Sequence, residues 1–132
     1  MAARAAVRTR RFRSLKVSAP FKAFVLDQLE ELGDVVARSM FGGVGLYCRD
    51  VFFGIIARDV LYLKVDDTNR PDYEKARMPA FQPYPGRMKK GTSKYYAVPL
   101  EVLESASELA VWARKAVAVA GRPKVTQRKR SR

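Results

Sequence analysis

Between Val35 and Val65 the chain is dense in β-branched, aromatic and other apolar residues, broken at short intervals by polar pairs. Such a run folds as successive strands, because these side chains pack well on a pleated surface and turn residues bound each stretch. Val51-Phe52-Phe53-Gly54-Ile55-Ile56-Ala57 and Val60-Leu61-Tyr62-Leu63-Lys64-Val65 read as neighbouring strands. Arg49-Asp50 and Arg58-Asp59 sit where two-residue turns would close successive hairpins, although neither is the favoured Asn-Gly or Asp-Gly type. Three strands in a meander follow, or four with Val35–Met40. Strands this apolar on both faces need cover on each side, or a partner to pair with.

The flanks read as helices. Ser18-Ala19-Pro20 combines a capping hydroxyl with a proline near the first turn, and Phe21, Phe24, Val25, Leu29 and Leu32 follow at helical spacing up to Gly33. Asp27, Glu30, Glu31 and Asp34 fall on its outer side or end, as a solvated face. Asp67-Thr68 offers a cap for a short helix over 69–77, with Pro71 in its first turn. Pro79, Pro83, Pro85, Gly86 and Gly91 then break the chain into a loop with at most a short edge strand. Ser93–Val98 returns to a strand pattern. Pro99 opens a helical turn, and Ser105-Ala106-Ser107-Glu108 fits a capping box ahead of the stripe Leu109, Trp112, Ala113, Ala116, Val117 and Ala120, which Gly121 ends. The order α, three or four β, α, one or two β, α predicts an α+β fold, with helices packed on an antiparallel meander sheet in two layers.

The net charge of +13 suggests a nucleic-acid partner until its distribution is read. All 13 acids lie between Asp27 and Glu108. Residues 1–16 hold six cations (Arg4, Arg8, Arg10, Arg11, Arg13, Lys16) and no acid, and residues 122–132 hold six more (Arg122, Lys124, Arg128, Lys129, Arg130, Arg132). Three blocks follow: a basic disordered arm over 1–17, a nearly neutral folded body over 18–121 and a basic disordered tail over 122–132. The arm's Arg-rich, acid-free start also resembles an organelle transit peptide, but a solvated arm explains it more simply. No apolar run approaches the roughly 18 residues of a membrane span, and none follows the basic start as a secretory signal would require.

One cysteine, Cys48, excludes an intramolecular disulfide and suits a reducing cytoplasm. The absence of histidine removes the commonest general base and metal ligand, and with one Cys it excludes a tetrahedral zinc site. No nucleophile, base and orienter can be assembled, so neither catalysis nor a cofactor is expected. The Asp66-Asp67 and Asp72-Glu74 pairs lack the EF-hand pattern and read as acids at a helix start. Cys48, with no histidine to activate it, reads as a small buried hydrophobe.

Two motifs need weighing. Phe41-Gly42-Gly43-Val44-Gly45 lacks the spacing of a phosphate loop and precedes a strand, so it reads as a turn or bulge. Lys89-Lys90-Gly91-Thr92-Ser93 is an exposed loop, yet Phe81, Tyr84, Arg87, Lys94, Tyr95 and Tyr96 around it mix aromatic and basic character, as single-strand or nucleotide binders do. Tyr95 and Tyr96 lie in an expected strand, so at least one must enter the core. A pocket of Tyr84, Arg87, Lys89 and Tyr95 would suit a small ligand.

The segment Arg38-Ser39-Met40-Phe41-Gly42-Gly43-Val44-Gly45-Leu46-Tyr47, followed by Phe53-Gly54-Ile55 and Leu61-Tyr62-Leu63-Lys64-Val65-Asp66, resembles the signature of the TfoX N-terminal domain, from the TfoX/Sxy competence regulators. Tyr95-Tyr96-Ala97-Val98-Pro99, Val102-Leu103-Glu104, Leu109 and Trp112-Ala113 are similar to that domain's closing strand and helix. The likeness runs from about Phe21 to Ala120. It implies a two-layer α+β domain, a bacterial source and a link to transcription of competence genes alongside the catabolite activator protein. The full-length regulators carry a second, helical domain; here Gly121 is followed by eleven mostly polar and basic residues.

The function expected from these readings is that of a non-catalytic, cytoplasmic regulator or adaptor with a protein partner in the transcription machinery. The alternatives are a sequence-independent nucleic-acid binder and a small-ligand binder at the 81–96 loop. Weak nucleic-acid contact would fall to Arg8, Arg10, Arg11, Arg13, Arg128, Lys129 and Arg130 on the tails, with Arg87, Lys89 and Lys90 in the loop. No membrane partner is expected, and a homodimer stays open.

Overall fold

The computed structural model describes residues 14–82 and 94–122. Helix α1 (Ala19–Gln28) leads into strands β1 (Val35–Met40), β2 (Gly43–Cys48), β3 (Val51–Ala57) and β4 (Val60–Lys64). Helix α2 (Arg70–Lys75), strand β5 (Tyr95–Ala97) and helices α3 (Leu100–Leu103) and α4 (Ala106–Ala120) complete it. The five strands form one sheet in the order β1-β2-β3-β4-β5, each antiparallel to the next. The fold is α+β, a meander sheet with helices on it.

All three tight hairpins are closed by two residues with positive φ: Phe41 and Gly42 (52° and 87°), Arg49 and Asp50 (48° and 69°), and Arg58 and Asp59 (51° and 59°). That is the type I′ requirement, whose twist matches that of the flanking strands. The Arg-Asp pairs adopt it without glycine because strand pairing on both sides fixes the register, Cys48 opposite Val51 and Ala57 opposite Val60. A register shift at Leu46/Tyr47 marks a bulge between β2 and β3.

Strand alternation divides the side chains between two faces. On one face Val44, Leu46, Phe53, Ile56, Leu61 and Leu63 meet Val25 and Leu29 near α1, Tyr73 of α2, Val102 and Leu103 of α3, and Leu109, Ala113 and Ala116 of α4. Leu109 is completely buried; burial of a leucine contributes about 1.5–3 kcal/mol. Ser105 Oγ accepts a hydrogen bond from the Glu108 N–H at 3.2 Å, which caps α4 as its sequence anticipates. Trp112 is half-buried, edge-on to Tyr73 with ring centroids 4.8 Å apart.

The opposite face carries no helix among the described residues. Leu15, Ile55, Ala57 and Phe81 form its buried cluster, with Met40, Phe52, Tyr62 and Tyr95 packed against it. Leu15 corrects the expected limit of the basic arm. It is 1% exposed, its N–H donates to the Phe41 carbonyl, and its carbonyl accepts from the Arg58 N–H. The reason is that one leucine among polar neighbours finds a seat between two hairpin tips. Residues 1–13 of that arm, and residues 123–132 of the tail, lie outside the described residues.

Two further boundaries shift. Helix α1 stops at Gln28 rather than near Leu32, and turns carry the chain to Gly33, whose φ is +78°. The expected Asp67-Thr68 cap on α2 is not used: the N-cap is Asn69, with no capping hydrogen bond from its side chain. Asn69, 2% exposed, turns inward instead. Its Oδ1 accepts from the Asp66 N–H at 2.8 Å and its Nδ2 donates to the Lys64 carbonyl at 3.1 Å. Asp66 in turn accepts from the Thr68 N–H at 2.8 Å and from its hydroxyl.

Candidate interaction surface

The helix-free face carries one residue from each strand in a continuous row. Arg38 of β1 lies over the Tyr47 ring of β2, its guanidinium carbon 5.2 Å from the centroid. Tyr47 meets Phe52 of β3 at 5.1 Å, and Phe52 meets Tyr95 of β5 at 5.9 Å between centroids. Lys64 of β4 sits opposite Tyr95 in the ladder, its Nζ 4.9 Å from that ring. Period-two alternation puts all five on one side. The three rings are half-buried and Arg38 is exposed. Burial pushes the Tyr95 hydroxyl above its ordinary range, and the neighbouring Tyr47 adds to the shift.

Gly45 makes the row possible. A Cβ there would stand 3.0 Å from the Phe52 ring and 3.1 Å from the Met40 sulfur, so glycine leaves the floor on which these side chains lie. Gly43 serves the other half of the face. Its added Cβ would come within 2.7 Å of the Ile56 carbonyl oxygen and 2.9 Å of Leu15.

Beside the row, an open cleft of about 850 Å³ lies where β3 begins, β4 ends and α4 terminates. Phe52, Lys64, Tyr95, Lys94, Arg70, Arg122 and the carboxylates of Asp50, Asp66 and Asp67 line it. Several of these charges neutralise each other: Arg122 binds Asp66 and Arg70 binds Asp67. Desolvation pushes the Asp66 carboxyl up, but hydrogen bonds from Thr68 and the charge of Arg122 outweigh it and hold it below its ordinary value. Elsewhere Lys115 pairs with Asp72 at 3.0 Å. No group of three or more His, Cys, Asp or Glu side chains converges among the described residues.

The sheet's two edges differ. Beyond β5, Ala80 bridges to Tyr96, the Phe81 N–H donates to the Tyr95 carbonyl and the Ala97 N–H donates to the Pro79 carbonyl. Strand β1 ends the sheet on the other side with no strand beyond it among the described residues. Val36 on this strand is 49% exposed and Phe41 in its turn 73%.

The residues singled out in the sequence fall into several groups. Arg8, Arg10, Arg11, Arg13, Arg87, Lys89, Lys90, Arg128, Lys129 and Arg130 lie outside the described residues, as does Tyr84. Phe81 is no stacking platform: it is 8% exposed, its ring centroid 4.9 Å from that of Tyr62. Tyr96 packs into the helix-side core against Tyr73, leaving Tyr95 on the helix-free face. Cys48 is buried, its Sγ 3.5 Å from the Gly33 carbonyl oxygen. Arg38, Tyr47 and Lys64, known from the sequence as motif positions, become one surface with Tyr95. From the sequence Phe52 is one residue of an apolar strand; its place opposite Tyr47 brings it into the row.

The fold and surface define a small two-layer α+β domain that presents a sheet edge and an aromatic, cation-flanked sheet face. The family model of the TfoX N-terminal domain matches residues 27–120, and the chain belongs to that family. The motif positions quoted from the sequence have physical roles here: Phe41 and Gly42 form the first hairpin, Gly43 and Gly45 admit close neighbours, Tyr62 packs on Phe81, Pro99 caps α3, and Trp112 abuts Tyr73. Gly54 lets β4 approach, as a Cβ would lie 3.0 Å from the Tyr62 carbonyl oxygen. No curated protein matches the sequence.

Proposed function

We propose that the protein is a non-catalytic regulatory adaptor that engages a protein partner through the open edge of its sheet at β1. The observation that carries this reading is that β1 has no strand beyond it among the described residues and bears the half-exposed Val36. An edge strand offers a row of backbone donors and acceptors that an extended segment of another protein can continue. Family membership supports the regulatory role, and transcription of competence genes is the setting the family suggests. The lack of histidine and the mutual pairing of Asp66, Asp67, Arg70 and Arg122 favour contact over chemistry. A single thiol fits a cytoplasmic setting.

The test is a pulldown from the native host, with and without nuclease, using the natural chain and Val36→Lys. A partner retained after nuclease and lost with Val36→Lys supports the adaptor reading, since an edge lysine opposes strand addition. Equal capture by both chains overturns it, and loss on nuclease treatment points to a nucleic-acid bridge.

A second reading, sequence-independent contact with nucleic acid through the basic segments, rests on charge. The described residues hold thirteen cations against thirteen acids, so the whole excess of +13 belongs to residues 1–13, 83–93 and 123–132.

A further inference from the structure

We propose that the partner segment taken at the β1 edge is an extended, basic one, with a lysine or arginine near its end seated in the groove between the end of α1 and the start of β1. The proposal rests on the edge reading above and adds the chemistry of what that edge accepts.

Pairing geometry decides which backbone groups the edge offers. Met40 and Gly43 face each other across a two-residue turn as the hydrogen-bonded closing pair, so Arg38 and Val36 also bond to β2. Val35, Ala37 and Ser39 alternate with them and turn their N–H and C=O groups away from the sheet. Every pair of neighbours in this sheet is antiparallel, so a segment that continues the meander runs antiparallel to β1. Its C-terminal end then lies beside Val35, where β1 begins.

Charge and shape at that end select the occupant. A groove of about 260 Å³ is lined there by Leu26, Leu29, Glu30, Gly33, Asp34 and Val35. Leu26, Leu29 and Val35 make it apolar, while Glu30 and Asp34 are exposed. Asp34 has Arg49 at 3.1 Å, but Glu30 pairs with no cation among the described residues, nor do Asp27 and Glu31 near it in the chain. The last carbonyls of α1 add partial negative charge at the same place. Lysine and arginine carry a long apolar stem with the charge at its tip, so the stem lies on the leucines while the tip meets the carboxylates. An acidic segment would meet like charges, and a purely apolar one would desolvate Glu30 without a partner.

The experiment measures binding of the full-length chain to two labelled peptides of alternating valine and threonine, one ending in lysines and its twin ending in glutamates. The lysine peptide is expected to bind more tightly, and the preference to shrink as salt rises. Glu30→Gln and Asp34→Asn should each weaken lysine-peptide binding by about 1.5- to 5-fold, the worth of an exposed ion pair, and narrow the gap between the twins. Ser39→Pro removes one outward N–H without adding charge, at an edge position where proline is tolerated, and should weaken binding by about 2- to 12-fold. Equal affinity for the twins, with both weakened by Ser39→Pro, overturns the basic preference and leaves the edge reading standing. Lysine-peptide binding that a folded Ser39→Pro leaves unchanged overturns both, because the acids alone then attract the peptide. No binding of either peptide overturns the proposal. A dimer of the natural chain that Ser39→Pro disperses gives the edge to a second copy and overturns it as well. Should Ser39→Pro not fold, unchanged lysine-peptide affinity in the Glu30→Gln/Asp34→Asn double variant overturns it.

Discussion

Asn69 is a residue whose truncation should cost this fold more than loss of an exposed polar side chain would. It is the one polar residue among the described buried set, and its amide ties the end of β4 to the start of the following loop through Lys64 and Asp66. Asn69→Ala removes both bonds and strands an N–H and a carbonyl in a part-buried site. A neutral hydrogen bond contributes about 0.5–1.5 kcal/mol net, and a stranded buried group costs about 1–3 kcal/mol. Partial access of water at Lys64 and Asp66 keeps the total at about 2–4 kcal/mol. For a body of this size the thermal midpoint should fall by roughly 10–25 °C. Urea unfolding is the direct assay: the midpoint should drop with an unchanged slope, as expected when the native state alone is weakened. A variant within about 0.5 kcal/mol of the natural chain, the ordinary range for surface changes, would refute the reasoning. Asn69→Asp adds a sign test. The aspartate keeps the acceptor for Asp66 but turns a buried carboxylate toward the Lys64 carbonyl, so its folded-state pKa should lie above its unfolded one. Its stabilising share should then be present at low pH and lost as pH rises through the folded pKa.

Three other outcomes are expected. Gly43→Ala should destabilise by about 1–3 kcal/mol in the same urea assay, because its Cβ meets the Ile56 carbonyl and the seat of Leu15. Tyr73→Phe should be neutral or stabilise by up to about 1 kcal/mol, since the buried Tyr73 hydroxyl has no hydrogen-bond partner among the described residues; destabilisation beyond about 1 kcal/mol would show that it has one. Removing residues 1–13 and 123–132, which carry ten cations, should abolish weak duplex binding. If half of those cations reach phosphates, the natural chain should lose affinity with a salt slope on the order of 4 to 5, and equal duplex affinity of the shortened chain would refute this.

Local pattern made most of the framework legible. The β3–β4 hairpin follows from two apolar runs separated by Arg58-Asp59, and the start of α4 from Ser105 with Glu108 three residues on. What stayed hidden depended on distant partners. Leu15 reads as part of a polar arm because its seat is built by Phe41 and Arg58, far along the chain. Asn69 reads as an ordinary helix-start residue until its amide is seen facing inward. The row was harder still. Arg38, Tyr47 and Lys64 stand out only as motif letters, and Phe52 as core, until strand register places them side by side. Positions in sequence name the candidates, whereas pairing decides which of them meet.

The three I′ turns have a kinetic consequence. Strands β1 to β4 occupy thirty consecutive residues, and each of the first three pairs with its immediate successor across a two-residue link. Contacts so close in sequence close small loops, and single hairpins form in about 1–10 μs. The slower event is the arrival of β5, which reaches β4 only after the thirty residues between Lys64 and Tyr95 have been drawn together, with α4 then sealing the helix side. Substituting glycine at Asp50 or Asp59, where φ is already positive, should therefore speed hairpin closure and change the overall folding rate less. Weakening Tyr96 or Leu109 should reach the rate-limiting docking itself.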